Sequence, residues 1–251
     1  MLDDFTPIIH RLPGRTVKVW AIADVHIGAR ECDLEGFADF IAKVAHDPDS
    51  YVVLVGDLLN NGIKTSCSDY ETLPPSAQVD EAVRLLEPIS HQILGCVGGN
   101  HERRTNKAVD LDPMFMVMTL IGKPELYRPN MAFVRVILEH GKTKNRYALM
   151  LTHGKTANKK RQFAYAVDGV DAVISAHTHD GIVEKPAKLV FNESNKVSIR
   201  PFVSLTATSW LSYGGYGASG LFLPKTTSDP QCLVLGWSGS NSRNGEMRVS
   251  W

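Results

Sequence analysis

Aspartate, asparagine and histidine side chains recur directly after short apolar runs of this 251-residue chain. Carboxylate, carboxamide and imidazole groups form a mixed oxygen and nitrogen donor set, which suits Mn²⁺, Fe²⁺ or Zn²⁺ better than Ca²⁺. Eight such side chains, one of them able to bridge, fit two ions better than one. Two ions about 3.5–4 Å apart can clamp the attacking and leaving oxygens of an in-line displacement at phosphorus. The candidates are Asp24, His26, Asp57, Asn100, His101, His153, His177 and His179.

The apolar runs ahead of the first candidates are interpreted as buried strands, and helical spacing of apolar residues separates them. Strand, helix, strand, helix and strand at short intervals favour parallel βαβ units. Because the carboxyl ends of parallel strands form the ligand crevice of such sheets, residues far apart in sequence should converge there. The predicted strands are 17–23, 51–55 and 92–97, and the predicted helices are 33–46 and 78–86.

The second half of the chain predicts a more antiparallel arrangement. Two hairpins are expected, at 131–151 and 182–205, because strand-like runs flank turn residues there. Helices are expected at 114–121 and 158–166, and a short strand at 172–175. Residues 1–251 should form one domain, with a core at about 15–205 and a glycine- and aromatic-rich C-terminal extension at 206–251.

Composition excludes several classes of protein. Lys and Arg number 27 and so do Asp and Glu, which argues against a globally basic nucleic-acid binder. No apolar run approaches the ~20 residues of a membrane span, and the Met-Leu-Asp-Asp start lacks the features of a secretory signal. The four cysteines show no CxxC spacing. Reduced thiols and a cytoplasmic location are therefore expected.

Five short motifs together resemble the calcineurin-like metallophosphoesterases. The resemblance implies an α/β fold, namely a four-layer α/β/β/α sandwich of two mixed sheets with a dimetal centre at the sheet ends. The motifs are DVH at 24–26, GD at 56–57, GNHE at 99–102, THG at 152–154 and HTH at 177–179.

The resemblance also implies a role for each candidate. His101 would face the phosphate and protonate the leaving group or stabilise the transition state, with Asn100 beside it. The first ion, expected to be Mn²⁺ with Fe²⁺ or Zn²⁺ as alternatives, would be held by Asp24, His26, Asp57 and His179. The second would be held by Asp57 as the bridging ligand, Asn100, His153 and His177.

Departures from the usual motifs indicate a branch of this family. The GDLLNNG segment at 56–62 lacks the Asp-Arg-Gly of calcineurin-like protein phosphatases, and Asn60 stands where purple acid phosphatases carry a metal-binding tyrosine. Glu102 replaces the usual aspartate of cyclic-nucleotide phosphodiesterases, and Ala176 replaces the usual glycine before His177. These features favour compact bacterial and phage phosphoesterases, including relatives of repair-nuclease catalytic subunits.

Basic and aromatic residues near the motifs suggest the substrate. Arg103, Arg104 and Lys155 follow candidate site residues and are expected to track a phosphate backbone. Trp210 and Tyr213, in a glycine-rich segment, are expected to stack on bases. A solvated surface and local packing of the tail are the respective alternatives.

Three functions follow from these features. The leading hypothesis is a phosphodiesterase or nuclease that cleaves DNA, RNA or nucleotides with a metal-bridging hydroxide. The alternative within the same chemistry is a phosphomonoesterase of a small phosphorylated substrate. The alternative of another class is a catalytically silent metal-binding scaffold, against which the intact ligand set and His101 argue. The oligomeric state stays open.

Overall fold

Two six-stranded sheets share one hydrophobic core in the computed structural model. The structure describes residues 4–63, 71–156, 163–191, 193–215, 218, 230–236 and 247–250. The helices are α1 (Leu34–His46), α2 (Pro75–Leu86), α3 (Glu102–Val109) and α4 (Pro113–Leu120), with 3₁₀ helices at Glu87–Gln92 and Pro124–Leu126. The strands are β1 (Ile8–Pro13), β2 (Thr16–Ile22), β3 (Ser50–Val55), β4 (Ile93–Val97), β5 (Tyr127–Arg128), β6 (Met131–His140), β7 (Thr143–Thr152), β8 (Ala172–Ser175), β9 (Val183–Glu184), β10 (Ala187–Phe191), β11 (Val197–Pro201), β12 (Val203–Thr206), β13 (Cys232–Gly236) and β14 (Met247–Ser250).

The first sheet has the strand order β14-β13-β2-β3-β4-β5. Its strands β2, β3, β4 and β5 are parallel, which confirms the βαβ prediction. Most side chains of β2, β3 and β4 are buried, as expected where a helix covers one face and a second sheet the other. All three predicted strands and the two helices between them are present, and the Asp33 carboxylate caps α1 by accepting the N–H of Gly36 at 2.9 Å.

The second sheet has the order β1-β6-β7-β8-β12-β9. The predicted hairpin at 131–151 is present as β6 and β7, paired over ten residues of each strand. The predicted hairpin at 182–205 is divided. Strands β10 and β11 form a separate two-stranded sheet, whereas β9 and β12 join the large sheet. Pro186 lies at the break, and a proline cannot donate to a strand ladder.

Strands of the two large sheets also lie outside the expected core at about 15–205. Strand β1 precedes residue 15 and pairs with β6, and β13 follows residue 205 and pairs with β2. Each is a short strand whose partner is distant in sequence, so local pattern alone does not reveal it. The fold class itself is as expected: an α/β fold with two large mixed sheets.

Helices cover the outer face of the first sheet. Helix α1 buries Phe37, Phe40, Ile41 and Val44, and the predicted helix at 114–121 is α4. Of the helix predicted at 158–166, residues 158–162 lie outside the described part, and 163–166 are helical. Within the described ranges, no helix is long and apolar enough to cross a membrane.

Candidate metal centre

The predicted donor side chains converge at the carboxyl ends of the strands. The loops after β2 and β3 run side by side, since the N–H of Asp24 donates to the carbonyl of Gly56 and that of His26 to the carbonyl of Asp57, both at 3.1 Å. The loop after β8 joins them, because the N–H of His177 donates to Oδ2 of Asp24 at 2.8 Å. Loops from both sheets therefore build one site.

Asp24, His26 and His179 form one cluster, in which one donor atom of each lies within 4.8 Å of the others. Oδ1 of Asp24 lies 3.3 Å from Nε2 of His179 and 3.9 Å from Nε2 of His26. One carboxylate and two imidazoles at these distances can converge on a single cation.

Asp57, His153 and His177 form a second cluster with the same 4.8 Å limit. Oδ2 of Asp57 lies 3.1 Å from Nε2 of His153, and Oδ1 of Asn100 lies 3.0 Å from the same nitrogen. His153 is held from behind, because its Nδ1 donates to the carbonyl of Val55 at 2.8 Å. Nε2 is thereby directed at the cluster.

Asp57 also links the two clusters. Together with His26 and His101 it forms a third group whose donor atoms lie within 4.8 Å of one another. Because Asp57 is close to members of both clusters, its carboxylate is the group placed to bridge two ions.

Buried atoms without hydrogen-bond partners test whether this site fits cations. Within the described residues, Oδ1 of Asp24 and both ring nitrogens of His26 are buried and make no hydrogen bond. Such atoms cost about 1–3 kcal/mol each when left unsatisfied. A divalent cation would bind Oδ1 of Asp24 and one ring nitrogen of His26, so the donor set fits the predicted ions.

Several candidate ligands have strained backbones. A non-glycine residue rarely adopts a positive φ, and each such residue costs on the order of 1–3 kcal/mol. Such residues concentrate at functional sites, where the surrounding structure holds them. Ala176, by contrast, keeps an ordinary φ, so its Cβ is tolerated in place of the usual glycine. The strained ligands are Asp24 (φ 50°), His26 (55°), Asp57 (50°), His177 (78°) and His179 (56°).

The charges at the centre are mutually stabilising. Burial disfavours the charged form of Asp57, but His153 and His101 outweigh it, so the pKa of Asp57 lies well below its usual range. Burial lowers the pKa of His153, and Asp57 more than reverses this and raises it to about 9. Burial, reinforced by His101, keeps the pKa of His26 well below 6.5. His26 is therefore a neutral imidazole, the form that binds metals.

His101 sits at the edge of the centre rather than inside it. Its Nδ1 donates to the carbonyl of Asn60 at 2.7 Å, and its Nε2 lies 3.9 Å from Oδ2 of Asp57. Arg104 donates to the same Nε2 at 2.9 Å. Burial, with a smaller contribution from Arg104, lowers the pKa of His101. The ring is placed to reach a phosphate ester bound beside Asp57.

Glu102 has a role that sequence reasoning missed. Its buried carboxylate accepts the backbone N–H groups of Asp57 at 3.1 Å, Leu59 at 3.0 Å and Gly99 at 2.9 Å. Burial, aided by Asp57, raises the pKa of Glu102 to about 7. The available signal was an acidic residue three positions after Gly99, close enough in sequence to accept the Gly99 N–H.

The basic residues expected to contact substrate differ in where their side chains lie. Arg104 lies at the centre, against His101. Arg103 lies next to it in sequence, but its guanidinium donates to the carbonyl of Pro129 at 3.0 Å and so supports a loop. Lys155 is exposed after His153.

The two aromatic residues expected to contact substrate, Trp210 and Tyr213, differ in their exposure. Tyr213 is 45% exposed, but Trp210 is only 4% exposed and packs on the rings of Phe37 and Phe40. The expectation that Trp210 stacks on bases is wrong, because a ring enclosed by the core offers no face to a base.

Comparison with known proteins decides the family. The sequence model of the calcineurin-like phosphoesterases matches residues 17–181, a range that contains every candidate ligand. The chain belongs to the calcineurin-like phosphoesterase family. This phosphoesterase is accordingly a metal-dependent hydrolase of phosphate esters.

Similar solved structures come from several bacteria. The calcineurin-like phosphoesterase YfkN of Bacillus subtilis is 12% identical with a TM-score of 0.46, covering 94% of this chain and 90% of that one. The NAD nucleotidase of Haemophilus influenzae is 10% identical with a TM-score of 0.44. The alignment covers 94% of this chain and 49% of the nucleotidase. No curated protein sequence matches the chain.

Proposed function

We propose that this phosphoesterase is a phosphodiesterase or nuclease that cleaves nucleic acid or nucleotides with two divalent ions. The observation that carries the proposal is the position of Asp57. Its carboxylate lies within 4.8 Å of donors from both histidine clusters, and His101 stands beside it. A shared carboxylate with an imidazole at its edge is the arrangement that in-line hydrolysis at phosphorus requires.

Each cluster accounts for one ion. The ions would be Mn²⁺, with Fe²⁺ or Zn²⁺ as alternatives, because the donors are carboxylate, carboxamide and imidazole. When bound, the ions would polarise the phosphate ester and make hydroxide available near neutral pH. The proposed ligands are Asp24, His26, Asp57 and His179 for the first ion, and Asp57, Asn100, His153 and His177 for the second.

His101 acts as the general acid for the leaving group. Its Nδ1 holds a proton and donates a hydrogen bond to the carbonyl of Asn60. Nε2 is therefore the nitrogen that exchanges a proton with substrate. In the free site Arg104 donates to this Nε2. When substrate binds, Arg104 would turn to a phosphate oxygen. Nε2 is then free to take up a proton from water and to donate it to the leaving oxygen.

The surroundings of the centre favour a polymeric or nucleotide substrate. Within the described ranges, the loops that carry the ligands are joined only by strands and helices of the fold itself. Lys155, two residues after His153, and Tyr213 are exposed. A basic side chain for a phosphate and an aromatic ring for a base would suit DNA or RNA.

The location proposed for the enzyme is the cytoplasm. The three described cysteines, Cys32, Cys96 and Cys232, are free thiols. Free thiols persist where the compartment is reducing.

The test compares hydrolysis of bis(p-nitrophenyl) phosphate and p-nitrophenyl phosphate with Mn²⁺ present. We expect preference for the diester, abolished in Asp57→Asn and retained in Asp49→Asn. Asp49 is exposed and precedes β3, at the opposite end of the strand from Asp57. His101→Ala should keep the bound metal and lose turnover by about 10²–10⁴-fold.

Other outcomes identify the alternatives. Preference for the monoester would replace the proposal with a phosphomonoesterase of a small phosphorylated substrate. Bound metal without turnover on either ester, or on DNA and RNA, would indicate the silent scaffold.

A further inference from the structure

A single peptide group behind His101 connects this residue to a buried glutamine. The carbonyl of Asn60 accepts Nδ1–H of His101 at 2.7 Å. The N–H of Asn61, which belongs to the same peptide group, donates to Oε1 of Gln78 at 2.7 Å. A peptide group is planar, so a rotation that releases the N–H also turns the carbonyl away from the ring.

Gln78 is completely enclosed on α2 and bonded at both ends of its amide. It is 0% exposed, and its Nε2 donates to the carbonyl of Leu73 at 2.8 Å and to Oε1 of Glu71 at 3.2 Å. A Cβ at Gly28, two residues after His26, would come within 2.4 Å of this Nε2. The Gln78 amide therefore has one orientation and lies against the loop of the first metal cluster.

The side chain of Asn61 links the same peptide group to the start of α3 through hydrogen bonds. Its Nδ2 donates to the carbonyl of His101 at 2.6 Å, and its Oδ1 accepts the hydroxyl of Thr105 at 2.9 Å. Its backbone has a φ of +49° and the residue is almost fully buried. A strained, buried asparagine of this kind persists only where the surroundings hold it.

Glu71 holds the other side of the segment. Its Oε1 accepts Nδ2 of Asn60 at 3.1 Å and also the N–H of Gly62. The segment from Asn60 to Gly62 is thereby held from both Glu71 and Gln78. Both residues come from the part of the chain that leads into or forms α2, which contributes no metal ligand.

We propose that Gln78 is a positioning residue for His101 and acts through the peptide group between Asn60 and Asn61. It fixes the direction of the Asn60 carbonyl and hence which ring nitrogen of His101 carries the permanent proton. Nε2 is then the nitrogen presented beside Asp57. This inference rests on the proposed function, because it assigns His101 the proton transfer.

The test uses Gln78→Met, which keeps the volume and removes every amide hydrogen bond. The matched control is Gln92→Met. Gln92 is also buried, at 3% exposure, and it precedes β4 at the opposite end of the strands. Its Nε2 donates to the carbonyls of Val44 at 2.8 Å, Asp47 at 3.0 Å and Ser50 at 2.8 Å.

We expect Gln78→Met to lower kcat for the diester by about tenfold or more, since small misplacements of a reacting group are costly. Its KM and metal content should stay within about twofold of wild type, while Gln92→Met should lose stability but keep kcat. Gln78→Glu retains an acceptor for the Asn61 N–H, so its kcat should exceed that of Gln78→Met even though the new carboxylate faces Glu71. If kcat instead follows stability across the three variants, the proposal is overturned.

A second readout does not depend on activity. Long-range ¹H–¹⁵N spectra of the His101 ring report which nitrogen carries the proton. Wild type and Gln92→Met should show the proton on Nδ1, and Gln78→Met should show a mixture of tautomers. Unchanged spectra in Gln78→Met would reject the inference. If wild type proved inactive, the proposed function would fail while these spectra still decided the role of Gln78.

Discussion

The carboxylate of Glu102 accepts a hydrogen bond from the backbone N–H of Asp57 at 3.1 Å, across 45 residues of sequence. The same carboxylate accepts the N–H of Gly99 at 2.9 Å. Glu102 thereby joins the loop that carries the shared ligand to the loop that carries Asn100. The spacing of donors within the second cluster depends on this buried side chain.

Glu102→Gln should therefore weaken metal binding. The amide offers one oxygen where the carboxylate offered two, and its NH₂ group would face a backbone N–H donor. We expect a loss of about 1–3 kcal/mol in the free energy of unfolding and about a 10–100-fold loss in Mn²⁺ affinity. Urea unfolding and equilibrium dialysis measure the two effects. An unchanged Mn²⁺ affinity would show that the loops hold their spacing without this carboxylate.

Gly99→Ala should disrupt the centre by close contact. A Cβ there would come within 2.1 Å of Oδ1 and 2.2 Å of the backbone nitrogen of Asp57. Because no side chain tolerates such distances, we expect the Asp57 loop to shift and Mn²⁺ binding to be lost. Gly122→Ala is the control, since Gly122 has a φ of +72° but no atom within 4 Å of an added Cβ. It should cost stability through strain and leave Mn²⁺ affinity unchanged.

Alanine variants of Trp210 and Tyr213 should distinguish a ring that packs in the core from a ring that contacts substrate. Trp210→Ala removes a ring packed on Phe37 and Phe40 and should cost about 3–5 kcal/mol of stability. Tyr213→Ala, at an exposed position, should change stability by about 0.5 kcal/mol or less. For single-stranded DNA the Tyr213 variant should have the higher KM if the ring stacks on a base. A KM defect confined to Trp210→Ala would reverse these assignments.

His10 should make the unfolding free energy depend on pH. Burial lowers the pKa of His10 below 6.5, and its Nε2 lies 2.7 Å from the carbonyl oxygen of Leu94. The folded state therefore binds fewer protons than the unfolded state just below pH 6.5, so stability should fall as the pH falls through that range. The comparison is urea unfolding from pH 7.5 to 5, in which His10→Gln should show a shallower slope. The exposed His46→Gln serves as the control.

The convergence of the candidate metal ligands was predictable because most of them carry a local signal. Asp24 directly follows a predicted strand, and Asp57 and His153 come one residue later after theirs. The rule that parallel strands present their carboxyl ends at one edge brings them together. The position of His177 was harder to predict, because this residue follows a four-residue strand whose place in the sheet depends on β7 and β12. The oxygen and nitrogen donor types of these side chains indicated that the cluster would bind a divalent metal ion.

Features that depend on distant partners were not predictable. Helix α3 is polar, with no apolar periodicity, and is held at its start by Asn61 from another loop. Strand β1 has its partner more than a hundred residues away in β6. Trp210 lies in a glycine-rich segment that reads as surface, and only the placement of α1 shows that Phe37 and Phe40 enclose its ring.

Asp57 is the ligand proposed to be shared between two ions, and the two-ion centre depends on it most. The direct measurement is the number of Mn²⁺ ions bound per chain, by equilibrium dialysis and metal analysis, in wild type and Asp57→Asn. We predict two ions in wild type and less than one in the variant, with Asp49→Asn unchanged at two. A single ion in wild type, or two ions retained by Asp57→Asn, would contradict the account.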